Sequence, residues 1–185
     1  NKGYEVKVYN RTEAKTDKWL MEYKGIKALS PKEAAKGANM VFACVGNDDD
    51  ISEVCLGDDG AFLGMDKNTI FIDHTTASAN IARMLYSKAK DVGIAFLDAP
   101  VSGGEAGAIN GKLTVMVGGD EATFESAKPY IKSYSQAVTL MGGPGSGQLT
   151  KMVNQICIAG LLQGLSEGVK FGMLSGLDIK KVVDV

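Results

Sequence analysis

Strand-like and helix-like segments alternate along most of this 185-residue chain, and that alternation constrains its fold more than any other feature. Such alternation is typical of parallel βαβ units whose sheet is covered by helices on both faces. The sequence therefore predicts an α/β fold of the Rossmann type, with a doubly wound parallel sheet. The predicted strands cover residues 4–9, 40–45, 69–73, 94–98, 113–117 and 136–140. The predicted helices cover residues 13–23, 48–56, 78–91 and 120–132, and a short helix starts at Ser30-Pro31.

The pattern changes at Gly145, after which one long helix is predicted over residues 147–175. Glycines at positions 160, 164, 168, 172 and 176 fall every four residues and would form one ridge along it. Each glycine weakens an isolated helix by about 1 kcal/mol relative to alanine, and close approach of another helix would offset that cost. Small residues that occur by chance in a buried helix are the alternative. We predict two domains, residues 1–144 and 145–185, of which the second begins with this long helix.

Composition excludes several classes of protein. The net charge of -2 argues against binding to nucleic acid or to a membrane surface. The apolar run over residues 152–165 is too short for a transmembrane span. The three cysteines lack zinc-ligand spacing, so no metal site is predicted, and their odd number fits a reducing compartment.

Two glycine-rich stretches carry the strongest functional signal. The first follows an apolar strand and reads Asp98-Ala99-Pro100-Val101-Ser102-Gly103-Gly104. The second leads into the long helix and reads Gly145-Ser146-Gly147-Gln148-Leu149-Thr150-Lys151-Met152-Val153-Asn154. Ligands of α/β proteins bind beyond the carboxyl ends of parallel strands, where glycine amides can hold a carboxylate. Lys151 lies about one turn inside its helix, and Asn154 lies on the same face. On position alone, Lys151 is more typical of a lysine that extends its ammonium to solvent from a helix end than of a catalytic group.

Together these stretches resemble the β-hydroxyacid dehydrogenase family, which includes 3-hydroxyisobutyrate dehydrogenase and tartronate semialdehyde reductase. The resemblance implies that Lys151 and Asn154 are catalytic, with Lys151 as the general acid and base. It implies that Ser102, Gly103 and Gly104 bind the carboxylate end of a short β-hydroxyacid or semialdehyde. It also implies that residues 145–185 are the start of an all-helical C-terminal domain, and that a homo-oligomer forms through that domain.

The expected cofactor residues follow three strands. They are Asn10, Arg11 and Thr12, then Val45, Gly46 and Asn47, then Thr75 and Thr76. An acidic residue after the second strand of a dinucleotide fold favours NAD, whereas arginine accommodates the 2′-phosphate of NADP. Because Arg11 occupies this place and no acid stands at position 10 or 11, we expect NADP to be preferred, with NAD as the alternative. His74, the only histidine, is interpreted as a bystander.

The Gly-x-Gly-x-x-Gly fingerprint of dinucleotide folds is missing from this sequence. In the family it lies just upstream of the first residue here, so we expect the chain to be a piece of a longer, cytoplasmic protein, with import into an organelle as the alternative. A non-catalytic NAD(P)-binding or oligomerisation module derived from the family is the competing hypothesis. An imine reductase of the same architecture is disfavoured, because those relatives replace the lysine.

Overall fold

The computed structural model describes residues 3–185, and its elements follow the predicted alternation. The strands are β1 (Lys7–Val8), β2 (Ile26–Lys27), β3 (Met40–Ala43), β4 (Ile70–Asp73), β5 (Ala95–Asp98), β6 (Val101–Ser102), β7 (Leu113–Gly118) and β8 (Ser135–Gly142). The α-helices are α1 (Glu13–Glu22), α2 (Pro31–Ala35), α3 (Asp48–Leu56), α4 (Ala79–Asp91), α5 (Gly104–Ile109), α6 (Glu121–Ile131), α7 (Ser146–Leu174) and α8 (Ile179–Asp184). The strand expected over residues 4–9 is shorter than predicted, and β2, β6 and α5 were not predicted.

Residues 3–185 form two sheets. β1 and β2 pair in parallel as one sheet, while the other runs β3-β4-β5-β7-β6, with β8 paired to β7. The pairs β3–β4, β4–β5 and β7–β8 are parallel. This arrangement, followed by the long helix α7, confirms the predicted Rossmann-type fold.

Two strands depart from the parallel pattern, because β7 runs antiparallel to both β5 and β6, and β8 runs parallel to β7. The physical reason is the connection from β6, which consists of residues 103–112 and contains only the short helix α5. A crossover between parallel neighbours needs a dozen or more residues, so this shorter connection reverses the chain instead.

The register of the parallel strands determines where the functional loops lie. Ala43 pairs with Asp73, and Asp73 pairs with Asp98, so β3, β4 and β5 end side by side. All four residues of β4 are buried, as expected for a strand covered on both faces. The loops after these three strands therefore lie along the same edge of the sheet, which is where α/β folds bind ligands.

Helix α4 shows how the sequence covers one face of this sheet. The Ser78 hydroxyl accepts the Ile81 N–H and caps the helix at its start. Ala82, Leu85 and Ala89 recur at helical spacing and are fully buried. Lysines in the last turn face solvent, where they complement the helix dipole.

The chain forms two compact units, Asn1–Lys151 and Met152–Val185. The predicted boundary between residues 144 and 145 lies just before α7 begins at Ser146, whereas the first unit includes the first six residues of this helix. Among residues 3–185, no helix has the length and apolar character needed to cross a bilayer.

The glycine ridge is shorter than predicted. α7 ends at Leu174, and Gly176 lies beyond it with a φ of +75°, a left-handed conformation that suits glycine at a helix end. A Cβ on Gly172 would lie 2.7 Å from Ile179 Cδ1 of α8, so this glycine permits a close contact. Added Cβ atoms at Gly160, Gly164 and Gly168 would meet open space within the described chain.

Candidate active site

The first turn of α7 is attached to the end of β5 by a buried carboxylate. Asp98 Oδ1 accepts the N–H of Gly145 at 2.7 Å, and Oδ2 accepts that of Gln148 at 3.0 Å. These donors belong to the start of α7, where a negative charge is favoured by the helix dipole. Burial raises the pKa of Asp98, and the backbone N–H groups oppose that rise.

Two glycines of the second motif allow this attachment. Gly145 has a φ of +86°, which an L side chain rarely adopts. A Cβ on Gly147 would lie 2.8 Å from both the backbone oxygen and Oδ2 of Asp98. The Gly-x-Gly pattern is therefore explained by backbone geometry and by close approach of the helix to β5.

Gln148 ties the same helical turn to the loop after β4. Its side chain is fully buried, Oε1 accepts the Ala77 N–H at 3.0 Å, and Nε2 donates to the Thr75 carbonyl at 2.6 Å. Neither Asp98 nor Gln148 was assigned a role from the sequence, although both stand inside the quoted motifs. Their partners lie far along the chain, so no local pattern reveals them.

Lys151 is held inward rather than extended to solvent. Only 8% of the accessible surface of Lys151 is exposed, and its Nζ donates to the Val101 carbonyl at 2.8 Å. Ser102 follows directly, so the structure brings Lys151 next to the predicted substrate loop. Asn154 belongs to the second compact unit, where its amide donates to Gln155 Oε1 at 3.1 Å, and its partnership with Lys151 stays a prediction.

The predicted substrate loop has an unusual backbone. Ser102 is half-buried in β6, while Gly103 and Gly104 are exposed and have φ values of +128° and +61°. β6 pairs with β7 through Val101–Val115 and Ser102–Thr114, which fixes the start of the loop. Glycine therefore permits both the turn and open access to the backbone at residues 103 and 104.

The first group of expected cofactor residues lies exposed after β1. Asn10 Oδ1 accepts the Thr12 N–H at 2.9 Å, which closes a local turn. Thr12 precedes α1 but caps no N–H with its side chain. The Arg11 side chain is 83% exposed and pairs with Asp50 of α3, with Nη1 at 3.0 Å from Oδ1. No pattern in the sequence indicates that Asp50 lies beside Arg11.

The remaining cofactor candidates lie in the loops after β3 and β4. The Val45 N–H donates to Thr75 Oγ1 at 3.1 Å, and Asn47 caps α3 by accepting the Asp50 N–H at 2.8 Å. Thr75 is fully buried, so Thr76 presents the accessible hydroxyl of the two. Residues 10–12, 45 and 46 line part of a cleft of about 1170 Å³ between β1 and β3; Asn47, Thr75 and Thr76 lie outside its lining.

A second buried carboxylate lies beside Asp98. Asp73 Oδ1 accepts the Thr75 N–H at 2.9 Å, and Oδ2 has no hydrogen-bond partner among the described residues. Burial raises the pKa of Asp73 to about 7, and the neighbouring Asp98 contributes to the rise. Among the residues that the structure describes, no cluster of three His, Cys, Asp or Glu side chains could hold a metal ion.

Comparison with known proteins identifies the family. The sequence profile described as the NAD binding domain of 6-phosphogluconate dehydrogenase matches residues 1–143. An uncharacterized oxidoreductase of Shewanella frigidimarina is 56% identical over 183 residues, which are 99% of this chain and 63% of that protein. An NAD-dependent L-serine dehydrogenase of Pseudomonas aeruginosa is 32% identical, with 99% and 61% of the two chains covered.

Solved structures agree with the sequence matches. Mycobacterium tuberculosis 3-hydroxyisobutyrate dehydrogenase, determined with L-serine, superposes with a TM-score of 0.90 at 27% identity, covering 98% of this chain and 61% of that one. The chain thus spans about three fifths of the length of these relatives. The profile match and these relatives confirm the resemblance found in the motifs. The chain belongs to the β-hydroxyacid dehydrogenase family, and residues 1–143 match the type of NAD-binding domain that 6-phosphogluconate dehydrogenase also has.

Proposed function

We propose that the protein containing this chain is an NADP-preferring oxidoreductase of short β-hydroxyacids or their semialdehydes. The observation that carries this proposal is the buried Lys151, whose ammonium contacts the Val101 carbonyl beside Ser102, Gly103 and Gly104. A lysine that only extended to solvent would not lie buried against this loop. Because the chain spans about three fifths of its relatives, the activity is proposed for the whole protein.

The residues present fit a dinucleotide at the carboxyl edge of β3 and β4. Arg11 is exposed after β1, and the loops that follow β3 and β4 open at the same edge. When bound, the nicotinamide would supply the hydride that adds to a carbonyl carbon, or accept it in the reverse reaction. In this proposal Asn10, Arg11, Thr12, Val45, Gly46, Asn47, Thr75 and Thr76 remain the candidates for holding this group.

Lys151 would supply the proton in this reaction. An ammonium carries three N–H donors, and the Val101 carbonyl takes one of them, so others remain for a substrate oxygen. In reduction, the carbonyl π bond breaks, the carbonyl oxygen gains a proton from Nζ, and Lys151 becomes a neutral amine. In oxidation, the neutral amine takes the hydroxyl proton. The exposed backbone at Gly103 and Gly104 would receive the substrate carboxylate.

The preference for NADP rests on Arg11. Its ion pair with Asp50 is exposed, and such pairs contribute about 0–1 kcal/mol. A 2′-phosphate offers stronger, charge-assisted hydrogen bonds to a guanidinium, so it can displace Asp50 from Arg11. The NAD-dependent relative shows that the family also includes enzymes with the other cofactor, which makes Arg11 the residue to test.

A homo-oligomer is also proposed. The second compact unit exposes large apolar side chains that need a cover, among them Val153, Ile156, Leu161, Leu165, Phe171 and Leu174. Further helices of the same protein, or of a second copy, would remove this apolar surface from water.

The experiment for the proposed activity compares substrates that differ only in the carboxylate. The full-length protein is assayed for oxidation of NADPH with a three- or four-carbon semialdehyde and with the aldehyde of equal length that lacks the carboxylate. We expect kcat/KM to fall at least about 100-fold without the carboxylate, since the exposed amides would lose their charged ligand. Equal values of kcat/KM for the two aldehydes would contradict the proposal, and so would a lack of turnover with both the three-carbon and the four-carbon semialdehydes.

A further inference from the structure

His74 is fixed at the edge of the candidate site by both of its ring nitrogens. Nδ1 lies 2.6 Å from the Ala99 carbonyl oxygen, and Nε2 lies 2.7 Å from the Tyr134 hydroxyl. The ring also stacks on Phe42, at 6.0 Å between centroids and 20° between planes, and meets Tyr134 edge-on. A side chain that only filled space would explain the stacking but not two short hydrogen bonds.

The partners of the ring determine its tautomer. A carbonyl oxygen can only accept, so Nδ1 must carry the hydrogen that faces Ala99. Burial lowers the pKa of His74, which keeps the ring neutral at physiological pH. Nε2 then has a lone pair, and the Tyr134 hydroxyl donates to it. Because both nitrogens are engaged in this way, His74 is not free to exchange a proton with a substrate.

The chain segment that His74 holds is the one that holds Lys151. Ala99 lies two residues before Val101, whose carbonyl accepts the Lys151 ammonium at 2.8 Å. On its other side the segment is fixed by β7, since the Met116 N–H donates to the Pro100 carbonyl at 3.1 Å. The Ala99 N–H donates to the Asp73 carbonyl at 2.7 Å, so without the ring this backbone hydrogen bond alone would hold Ala99, and its carbonyl would lose the partner at Nδ1.

We propose that His74, oriented by Tyr134, is a positioning residue that holds the segment Ala99–Val101 and thereby places the Lys151 ammonium. This inference rests on the proposed role of Lys151. It departs from the interpretation of the only histidine as a bystander. Chemistry at Lys151 depends on placement within a fraction of an ångström, and a displacement of about 1 Å can cost a factor of about 100 in rate.

The test uses substitutions that remove one hydrogen bond at a time in the full-length protein. His74→Asn keeps an N–H donor near the place of Nδ1, whereas His74→Leu removes both hydrogen bonds. Tyr134→Phe removes only the hydroxyl, and Tyr86→Phe is its matched control, because the Tyr86 hydroxyl binds Asp120 instead. For each variant, kcat and KM for the semialdehyde, the Kd of NADPH, and amide hydrogen exchange in peptides covering residues 99–103 are measured.

We expect His74→Leu to lower kcat about 10- to 100-fold and to speed exchange over residues 99–103, with the Kd of NADPH unchanged within threefold. His74→Asn should keep kcat within about threefold of the wild type, and Tyr134→Phe should fall between the two. Unchanged kcat and exchange in His74→Leu would overturn the proposal, and so would equal losses in His74→Asn and His74→Leu. If the wild type reduces no semialdehyde, the proposed function fails, and exchange alone decides whether His74 holds the segment.

Discussion

The attachment of α7 to β5 through Asp98 gives a prediction whose size follows from the structure. Asp98→Asn replaces a fully buried carboxylate by an amide of the same shape, so no cavity is created. One side-chain oxygen can still accept from Gly145 or Gln148, but the other backbone N–H then faces an amide N–H. Hydrogen bonds to a charged acceptor contribute about 1.5–3 kcal/mol each, and a buried donor without a partner costs about 1–3 kcal/mol.

Relief of the buried charge offsets part of this loss. We therefore expect Asp98→Asn to lower the free energy of unfolding by about 2–3 kcal/mol at pH 7. For a protein of this size that corresponds to a fall in Tm of about 5–10 °C. Because Lys151 lies in the next turn of α7, kcat should fall together with stability.

The assay is urea unfolding of the full-length protein followed by far-UV circular dichroism, with the slope in urea checked for constancy. Asp91→Asn, at an exposed position at the end of α4, is the matched control and should change stability by less than about 0.5 kcal/mol. If Asp98→Asn is as stable as this control, the carboxylate does not anchor α7, and the reasoning is refuted.

Three further predictions concern other parts of the chain. The folded-state pKa of Asp73, about 7, lies above the pKa of an aspartate in the unfolded chain. Between pH 4 and 7 the folded state therefore binds more protons than the unfolded state, and the free energy of unfolding falls as the pH rises through this range. Asp73→Asn should therefore gain stability relative to the wild type between pH 5 and pH 8 in urea titrations, and a constant difference would show that Asp73 is ionised throughout. The wild type should have a higher kcat/KM with NADPH than with NADH, and Arg11→Ala should remove most of that preference; a wild type that prefers NADH would refute the assignment. Gly168→Leu should lower Tm or reduce the oligomer mass in light scattering, because overpacking against a neighbouring helix costs about 1–3 kcal/mol. Lys132→Ala should change neither quantity, and an unchanged Tm and oligomer mass in Gly168→Leu would show that no helix packs against Gly168.

The sequence was sufficient for the elements whose signals are local. α4 was predicted within one residue of its observed start because Ser78 caps it and apolar residues recur at helical spacing. The edge strand β1 was predicted too long, because its pairing with β2 is a non-local contact. α7 ends within one residue of its predicted end, but the left-handed backbone of Gly176 takes this last glycine out of the predicted ridge.

The candidate site could be predicted only in part. Motif resemblance identified Lys151 and the loop at Ser102, and the structure places these residues together. Asp98, Gln148 and His74 act through partners that lie between 25 and 73 residues away in sequence. Nothing in the local spacing indicates such contacts. The reversal of β7 was missed for a related reason, since α5 was not recognised and the connection from β6 was not known to be short.

The most direct test of the central claim is the rate of hydride transfer in Lys151→Ala. Single-turnover oxidation of NADPH by the full-length variant, with saturating semialdehyde, should be about 100- to 10,000-fold slower than in the wild type, because the proton donor is lost. The Kd of NADPH should stay within threefold, the exposed-face control Lys132→Ala should keep the wild-type rate, and an added small primary amine should restore part of the lost rate. A hydride-transfer rate within about threefold of the wild type would contradict the assignment of Lys151 as the general acid.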